Sequence, residues 1–161
     1  MKAEVTREHR WLEQLVGDWT YENESSCGPD QPAQKFTGTE RVRSMGGVWV
    51  VAEGEGRMPD GGTGQMLLTI GYNPKTKRYM GTWIGSMMHH LWVYDGFLDE
   101  TGRILTLESQ GPSFTDPAKT DTYRDIIEIV GPNTRTLASK MRNDKGEWTA
   151  FMQATYTRAA R

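Results

Sequence analysis

The sequence predicts an all-β fold, an antiparallel up-and-down barrel of about ten strands preceded by one short helix. Three observations predict it. After residue 16 the chain becomes a series of short alternating runs, each ended by a turn signal, at near-hairpin spacing. The connections are too short for the crossover helices that parallel strands require. Several of the eighteen glycines fall inside the runs, at Gly38, Gly54, Gly71, Gly81 and Gly96, where tight curvature needs a residue without a Cβ. Closing such a meander into a barrel removes its free edges.

The helix comes first. In "VTREHRWLEQLV", from about Val5 to Val16, helical spacing puts Val5, His9, Leu12 and Val16 on one face, with Leu15 adjoining. Thr6 with His9 three residues on is a weak capping pattern, and Gly17 is a stop. "GDWTYEN" is the first strand, and a polar loop separates it from "KFTGTERVRSM". Gly46-Gly47 turns the chain into "VWVVAEGEGRM", "PDGG" into "GQMLLTIGYN" and "PKTK" into "RYMGTWIGS". Next come "HLWVYDGFL", the turn "DETG" and "RILTLESQG", then a loop from Pro112 to Thr120 before "TYRDIIEIV". "GPNT" and "DKGE" introduce the last two runs, "RTLASKMRN" and "WTAFMQATYTR". No linker, repeat or low-complexity stretch interrupts the series, so residues 1–161 read as a single domain.

Composition excludes several partners. Lys plus Arg is 19 and Asp plus Glu is 21, for a net charge of −2. Neither nucleic acid nor an anionic membrane surface would find a concentrated positive field here. No apolar run approaches the length of a membrane span, and "MKAEVTREHRW" lacks the apolar core of a signal peptide, so a cytoplasmic protein is expected. Cys27 is the only cysteine; it has no partner for an internal disulfide and reads as a surface thiol in a polar loop.

Gly17-Asp18-Trp19 directly after a short helix, with Arg158 near the end of the last run, resembles the calycin superfamily of lipocalins and fatty-acid-binding proteins. That resemblance implies that Trp19 closes the barrel floor and that Arg158 stacks on its indole, a favourable cation–π pair that serves the fold. "HRWLEQLVGDW", "GYNPKTKRYMGTWIGSM", "YRDIIEI" and "ATYTR" together are similar to a bacterial lipocalin-like family of unknown function, domain of unknown function 1579, over nearly the whole chain. The likeness implies a calycin-type barrel with no established activity. Two positions depart from the family pattern: Gly85 stands where an Asp is expected in Trp-x-Asp-Ser, and Gln153 where a Glu often follows Met. Catalysis by those acids is therefore not expected here.

The candidate site is the barrel interior. Nine methionines and six tryptophans suit a cavity for a small apolar or aromatic molecule. In the last run Trp148, Ala150, Met152, Ala154 and Tyr156 form the more apolar face. In "RYMGTWIGS" either Tyr79, Gly81, Trp83 and Gly85 or the alternate set lines the interior. His89 and His90 lie side by side, so on a strand one faces inward and its neighbour outward; His90 is favoured as the inner residue because Trp92 and Tyr94 share its face, and Leu91 and Val93 make nearly as good a case for His89. Among charged residues on potential lining faces (Glu40, Arg43, Glu53, Glu108, Arg124, Glu128), an inward Arg facing a Glu would orient a polar group, whereas outward pairs would be ordinary surface salt bridges. The expected ligand-binding set is His89, His90, Trp83, Glu53, Glu108, Arg124, Met152 and Tyr156.

Three function classes remain, in this order: a small-molecule binding barrel without chemistry; a cavity enzyme using a His and a carboxylate as acid and base; and a haem protein with a single axial His. No cofactor is expected. Two adjacent histidines on a strand make a poor metal site, and only His9 could join them. Runs that are apolar on both faces, notably "MLLTI" and "WVVA", point to a twofold homodimer.

Overall fold

The computed structural model describes residues 1–26, 32–58 and 60–160. Cys27 lies outside the described residues. A short helix α1 (Arg7–Leu12) runs into a 3-10 turn (Glu13–Leu15). Ten strands follow: β1 (Gly17–Ser25), β2 (Gln34–Met45), β3 (Trp49–Arg57), β4 (Thr63–Asn73), β5 (Arg78–Gly85), β6 (Trp92–Leu98), β7 (Ile104–Pro112), β8 (Thr120–Gly131), β9 (Thr134–Arg142) and β10 (Trp148–Arg158). Each pairs antiparallel with its sequence neighbours, and β1 pairs with β10 to close the barrel. Among the described residues no helix is long and apolar enough to cross a membrane.

The two ends of the barrel differ. One carries α1 and the tight turns that follow β2, β4, β6 and β8; the other carries the longer connections. The helix is fastened across its end by side chains of three aromatic types. His9 is buried, takes the Thr6 N–H on Nδ1 at 2.9 Å and places Nε2 3.0 Å from the Tyr72 carbonyl. That arrangement assigns the proton to Nε2, which donates to the carbonyl. Tyr79 donates to the Glu8 carbonyl at 2.9 Å, and Trp11 to that of Gly102 at 2.7 Å. Leu12 and Leu15 are buried in the barrel core with Trp19, Ile70 and Leu105.

Trp19 is the floor, as the Gly-x-Trp pattern predicts. Its indole donates to the Leu15 carbonyl at 2.9 Å. Arg158 lies over the ring at 4.3 Å, and Arg135, reaching from β9, lies over it at 4.6 Å. Arg158 also donates to the carbonyls of Val16 (2.6 Å), Gln14 (3.2 Å) and Pro132 (3.2 Å), tying the last strand to the end of the helix. Gly17 makes this crossing possible: its φ is +136°, and a Cβ there would collide with the Arg158 guanidinium.

Strand alternation assigns the inner wall, with one correction. A β-bulge in β10 between Ala150 and Met152 reverses the alternation within that strand. Met152 and Tyr156 stay on the inside, but Trp148 and Ala150 lie outside. There Trp148 stacks under Arg124 at 4.5 Å and Arg142 at 5.6 Å. The single apolar face expected from Trp148 to Tyr156 is thus two faces joined at Phe151.

Candidate functional site

The barrel encloses a cavity of about 250 Å³ above the Trp19 floor. Its walls are apolar: Ala52, Met66, Leu68, Leu107, Ile127 and Leu137 contribute aliphatic and thioether surface. Towards the open end Trp83, Trp92, Phe114, Tyr123 and Phe151 make an aromatic collar. The collar rings meet edge to face, Trp92 with Tyr123 at 4.9 Å, Phe114 with Phe151 at 5.0 Å and Tyr123 with Phe151 at 6.0 Å. That is the favoured arrangement for aromatic quadrupoles. Tyr123 is pinned by donating to the Pro112 carbonyl at 2.5 Å, and burial pushes its phenol up to about 12.

Below the collar sits a polar layer. Asp125, on the inner face of β8, accepts hydrogen bonds from the Tyr94 hydroxyl on Oδ2 and the Ser139 hydroxyl on Oδ1, each at 2.5 Å. Its carboxyl is enclosed by protein, and the surface it keeps faces the cavity. Burial raises its pKa above the ordinary value, with the two hydroxyl donors pulling the other way. Burial likewise holds the phenols of Tyr94 and Tyr156 well above their usual range, with the nearby Asp125 charge adding to both. Tyr156 makes no side-chain hydrogen bond with the described residues, although its ring packs on Tyr21 at 5.1 Å.

Deeper still, Arg135 and Glu40 form a buried ion pair. The guanidinium is held between rings, 4.6 Å from Trp19 and 4.0 Å from Tyr156. Its Nε, and Oδ1 of Asn23, are buried without a hydrogen-bond partner. Tyr21, lying beside this pair, comes so close to Gly38 of β2 that a Cβ there would overlap the phenol.

The expected site residues divide cleanly. Trp83, Met152 and Tyr156 line the cavity. His89 and His90 do not, because the connection between β5 and β6 extends through Leu91 and the strand begins only at Trp92. Alternation therefore does not act on the pair. His89 is exposed, while His90 is half-buried at the rim, with Nε2 3.0 Å from the Gln110 carbonyl and its ring edge-on to Trp92 at 4.6 Å. Met88, not a histidine, turns into the cavity from this loop. Since His9 is spent fastening the helix, no histidine faces Asp125 or offers an axial imidazole inside the barrel. Among the described residues no three His, Cys, Asp or Glu side chains come together as a metal site.

Glu53, Glu108 and Arg124 are corrected too: all three have outward parity. Glu108 and Arg124 face each other across β7 and β8 and pair at 2.9 Å on the outside. Glu53 is exposed and borders an open groove of about 860 Å³ on the outer surface of β1 to β5. That groove, although larger, is a solvated saddle flanked by Asp18, Arg41 and Glu55, and Arg41 and Asp18 already pair at 3.0 Å. The inward polar residues missed in the sequence are Asp125, Ser139 and Arg135, whereas Tyr94 lines the cavity on the face expected of it. A signal for them existed. In "TYRDIIEIV" Asp125 shares a face with Tyr123 and Ile127, and in "RTLASKMRN" Arg135 and Ser139 share one with Leu137 and Met141. A charge on an otherwise apolar face is the informative observation.

The departures from the family pattern can also be placed. Gly85 is on the inner face, where a Cβ would run into the Trp83 ring and the Met87 sulfur, so these two side chains occupy that space. Gln153 is exposed on the outer face of β10, away from the cavity.

A closed antiparallel barrel with a helix across its Trp–Arg floor and a cavity at the other end is a calycin-type, lipocalin-like barrel. The chain belongs to the family described as "Protein of unknown function (DUF1579)", whose model matches residues 4–158. No curated protein sequence matches it. Among solved structures it is similar to Rv2717c from M. tuberculosis, at 12% identity and a TM-score of 0.67, covering 98% of this chain and 100% of that one. It is also similar to the S-type phycobiliprotein lyase CPES from Guillardia theta, at 13% identity and a TM-score of 0.64, covering 97% of this chain and 94% of that one. A third, EF1p2_mFAP2b bound to DFHBI, matches at 13% identity and a TM-score of 0.51, covering 94% of this chain and 98% of that one. At these identities the likeness is one of fold.

Proposed function

We propose that this protein binds a small, largely apolar or aromatic molecule in the barrel cavity, with the ligand's polar group directed at Asp125 and Tyr156. The observation that carries the reading is the layering of the cavity: an aromatic collar above an enclosed carboxylate, Asp125, with no cation among its described partners, in a space of about 250 Å³. Small-molecule sites have this composition, mostly apolar walls with a few placed polar groups. One barrel of similar fold, EF1p2_mFAP2b, is bound to a compound, DFHBI. The volume favours a ligand of one or two rings. A histidine–carboxylate acid–base pair is not assembled inside, and no imidazole is placed to hold a haem iron there, so binding leads the alternatives.

Native mass spectrometry of protein purified from its own cells tests this reading. The expected result is a retained small molecule at one per chain, lost on denaturation. Its retention by a variant with the cavity filled, Leu137→Trp, in a folded protein would contradict it.

We infer separately that two chains associate through the outer face of β4 to β6. Leu67 faces Ile84 there, and Ile84 and Val93 are exposed. Sedimentation at roughly tens of micromolar is expected to give a dimer, and Ile84→Lys a monomer; a monomeric wild type would contradict the inference.

A further inference from the structure

The charges facing the cavity do not balance, and the imbalance has a direction. The ionisable acids and bases among its lining residues, tyrosines apart, are Glu40, Asp125 and Arg135. Arg135 is committed: Glu40 neutralises it and two aromatic rings clamp it. What remains is Asp125, whose described partners are two hydroxyl groups and no cation. A carboxylate has room for about four donors, so two sites stay open.

The aromatic collar stands one step above this carboxylate on the same strands. Tyr123 precedes Asp125 by two residues on β8, and Trp92 precedes Tyr94 by two on β6. Two residues along a strand span roughly 7 Å. A ligand nitrogen at Asp125 would therefore have its carbon body among the rings. The two requirements, a positive head and an apolar or aromatic tail, are met together by an organic ammonium. Aromatic faces attract such a cation, and an enclosed carboxylate without a counter-charge binds it more strongly than it binds a neutral donor. An anionic ligand meets the opposite field.

We propose that the cavity takes a primary or secondary organic amine, bound as its ammonium ion with N–H donated to the Asp125 carboxylate and its apolar body within the Trp92–Tyr123 collar. The proposal rests on the cavity being the binding site and names the class of ligand it selects. Tyr94 and Ser139 then act as positioning residues, holding both carboxylate oxygens so that their open lone pairs face the ligand.

Three probes of like size separate the charges: phenethylamine, 2-phenylethanol and 3-phenylpropionate, titrated into the full chain by calorimetry. The expected order is amine first, the alcohol about tenfold or more weaker, and the carboxylate weakest. In Asp125→Asn the amine should lose about tenfold or more while the alcohol stays within about twofold. The wild-type order needs no variant, so misfolding of Asp125→Asn does not spare the proposal. An alcohol that binds as tightly as the amine, or a preferred carboxylate, overturns the ammonium assignment and leaves cavity binding standing. Failure of all three, together with failure of neutral, two-ring naphthalene to bind, overturns both.

Discussion

The floor and the collar of this barrel use the same materials to opposite ends. Both are built from tryptophan, tyrosine and charged side chains. At the floor most groups are engaged, Arg135 Nε excepted: Trp19 lies between Arg135 and Arg158, its N–H reaches Leu15, and Arg158 donates to three carbonyls. At the collar the rings meet mainly one another, Phe114 is partly exposed, and the carboxylate beneath has no cation among its described partners. Saturated contacts hold a fold, and unsatisfied ones await a partner. The difference teaches that here function is to be sought in incomplete satisfaction rather than in residue type. The histidines make the same point: His9, inconspicuous in the sequence, is structural, and the conspicuous His89–His90 pair lies outside the cavity.

The comparison can be broken most sharply at Trp19. Trp19→Ala should cost about 3–5 kcal/mol in urea unfolding, whereas Trp92→Ala at the collar should cost about 1 kcal/mol and instead weaken ligand binding. Equal losses would erase the distinction between the two ends. Gly17→Ala comes next, at about 2–3 kcal/mol, because it combines a positive φ with a collision against Arg158. A thermal melt that leaves Gly17→Ala at the wild-type midpoint would show that the crossing is not tight.

Smaller effects sharpen the picture. His9→Ala should lose about 1–2 kcal/mol, since it strands the Tyr72 carbonyl and the Thr6 N–H. His89→Ala and His90→Ala should each stay within about 0.5 kcal/mol. A larger loss from either rim variant than from His9→Ala would reverse the assignment of roles. One change is expected to be a gain. Asp125 has its folded pKa raised by burial, so between the ordinary value of 3.8 and the raised one the folded state holds more protons than the unfolded state. Stability from this group is therefore present at low pH and falls as pH rises through that window. Asp125→Asn should then be more stable than the ligand-free wild type at neutral pH, with the advantage vanishing below the ordinary value. Paired melts across pH check the sign; a variant that is less stable at neutral pH would mean that the carboxylate is structural.

Much of the fold is legible in the sequence because each link is local. The ten alternating runs correspond to the ten strands, and the Gly-x-Trp start and terminal Arg meet across the barrel. The helix is shorter than its periodicity suggests, α1 ending at Leu12 in a 3-10 turn. The site is less legible. What separates Glu108 and Arg124 from Asp125 is parity, and parity is fixed by register, which a single strand's sequence leaves open where both faces mix apolar and charged residues. The Phe151 bulge, which sends Trp148 outward, has no distinct sequence mark in "WTAFMQATYTR". The expectation for the His pair fails because β6 starts at Trp92, two residues later than the run "HLWVYDGFL" suggests.

The six tryptophans offer the most direct test, because they report from separate places. Trp11 and Trp19 lie at the closed end, Trp49 and Trp148 on the outer face, and Trp83 and Trp92 on the cavity wall. In a ¹H–¹⁵N spectrum each indole gives one signal, which can be followed as a small aromatic amine is titrated in. The indole signals of Trp83 and Trp92 are predicted to shift together and saturate at one ligand per chain, while those of Trp19 and Trp148 stay in place. Shifts confined to Trp49 and Trp148, with Trp83 and Trp92 unmoved, would place binding on the outer surface and contradict the account.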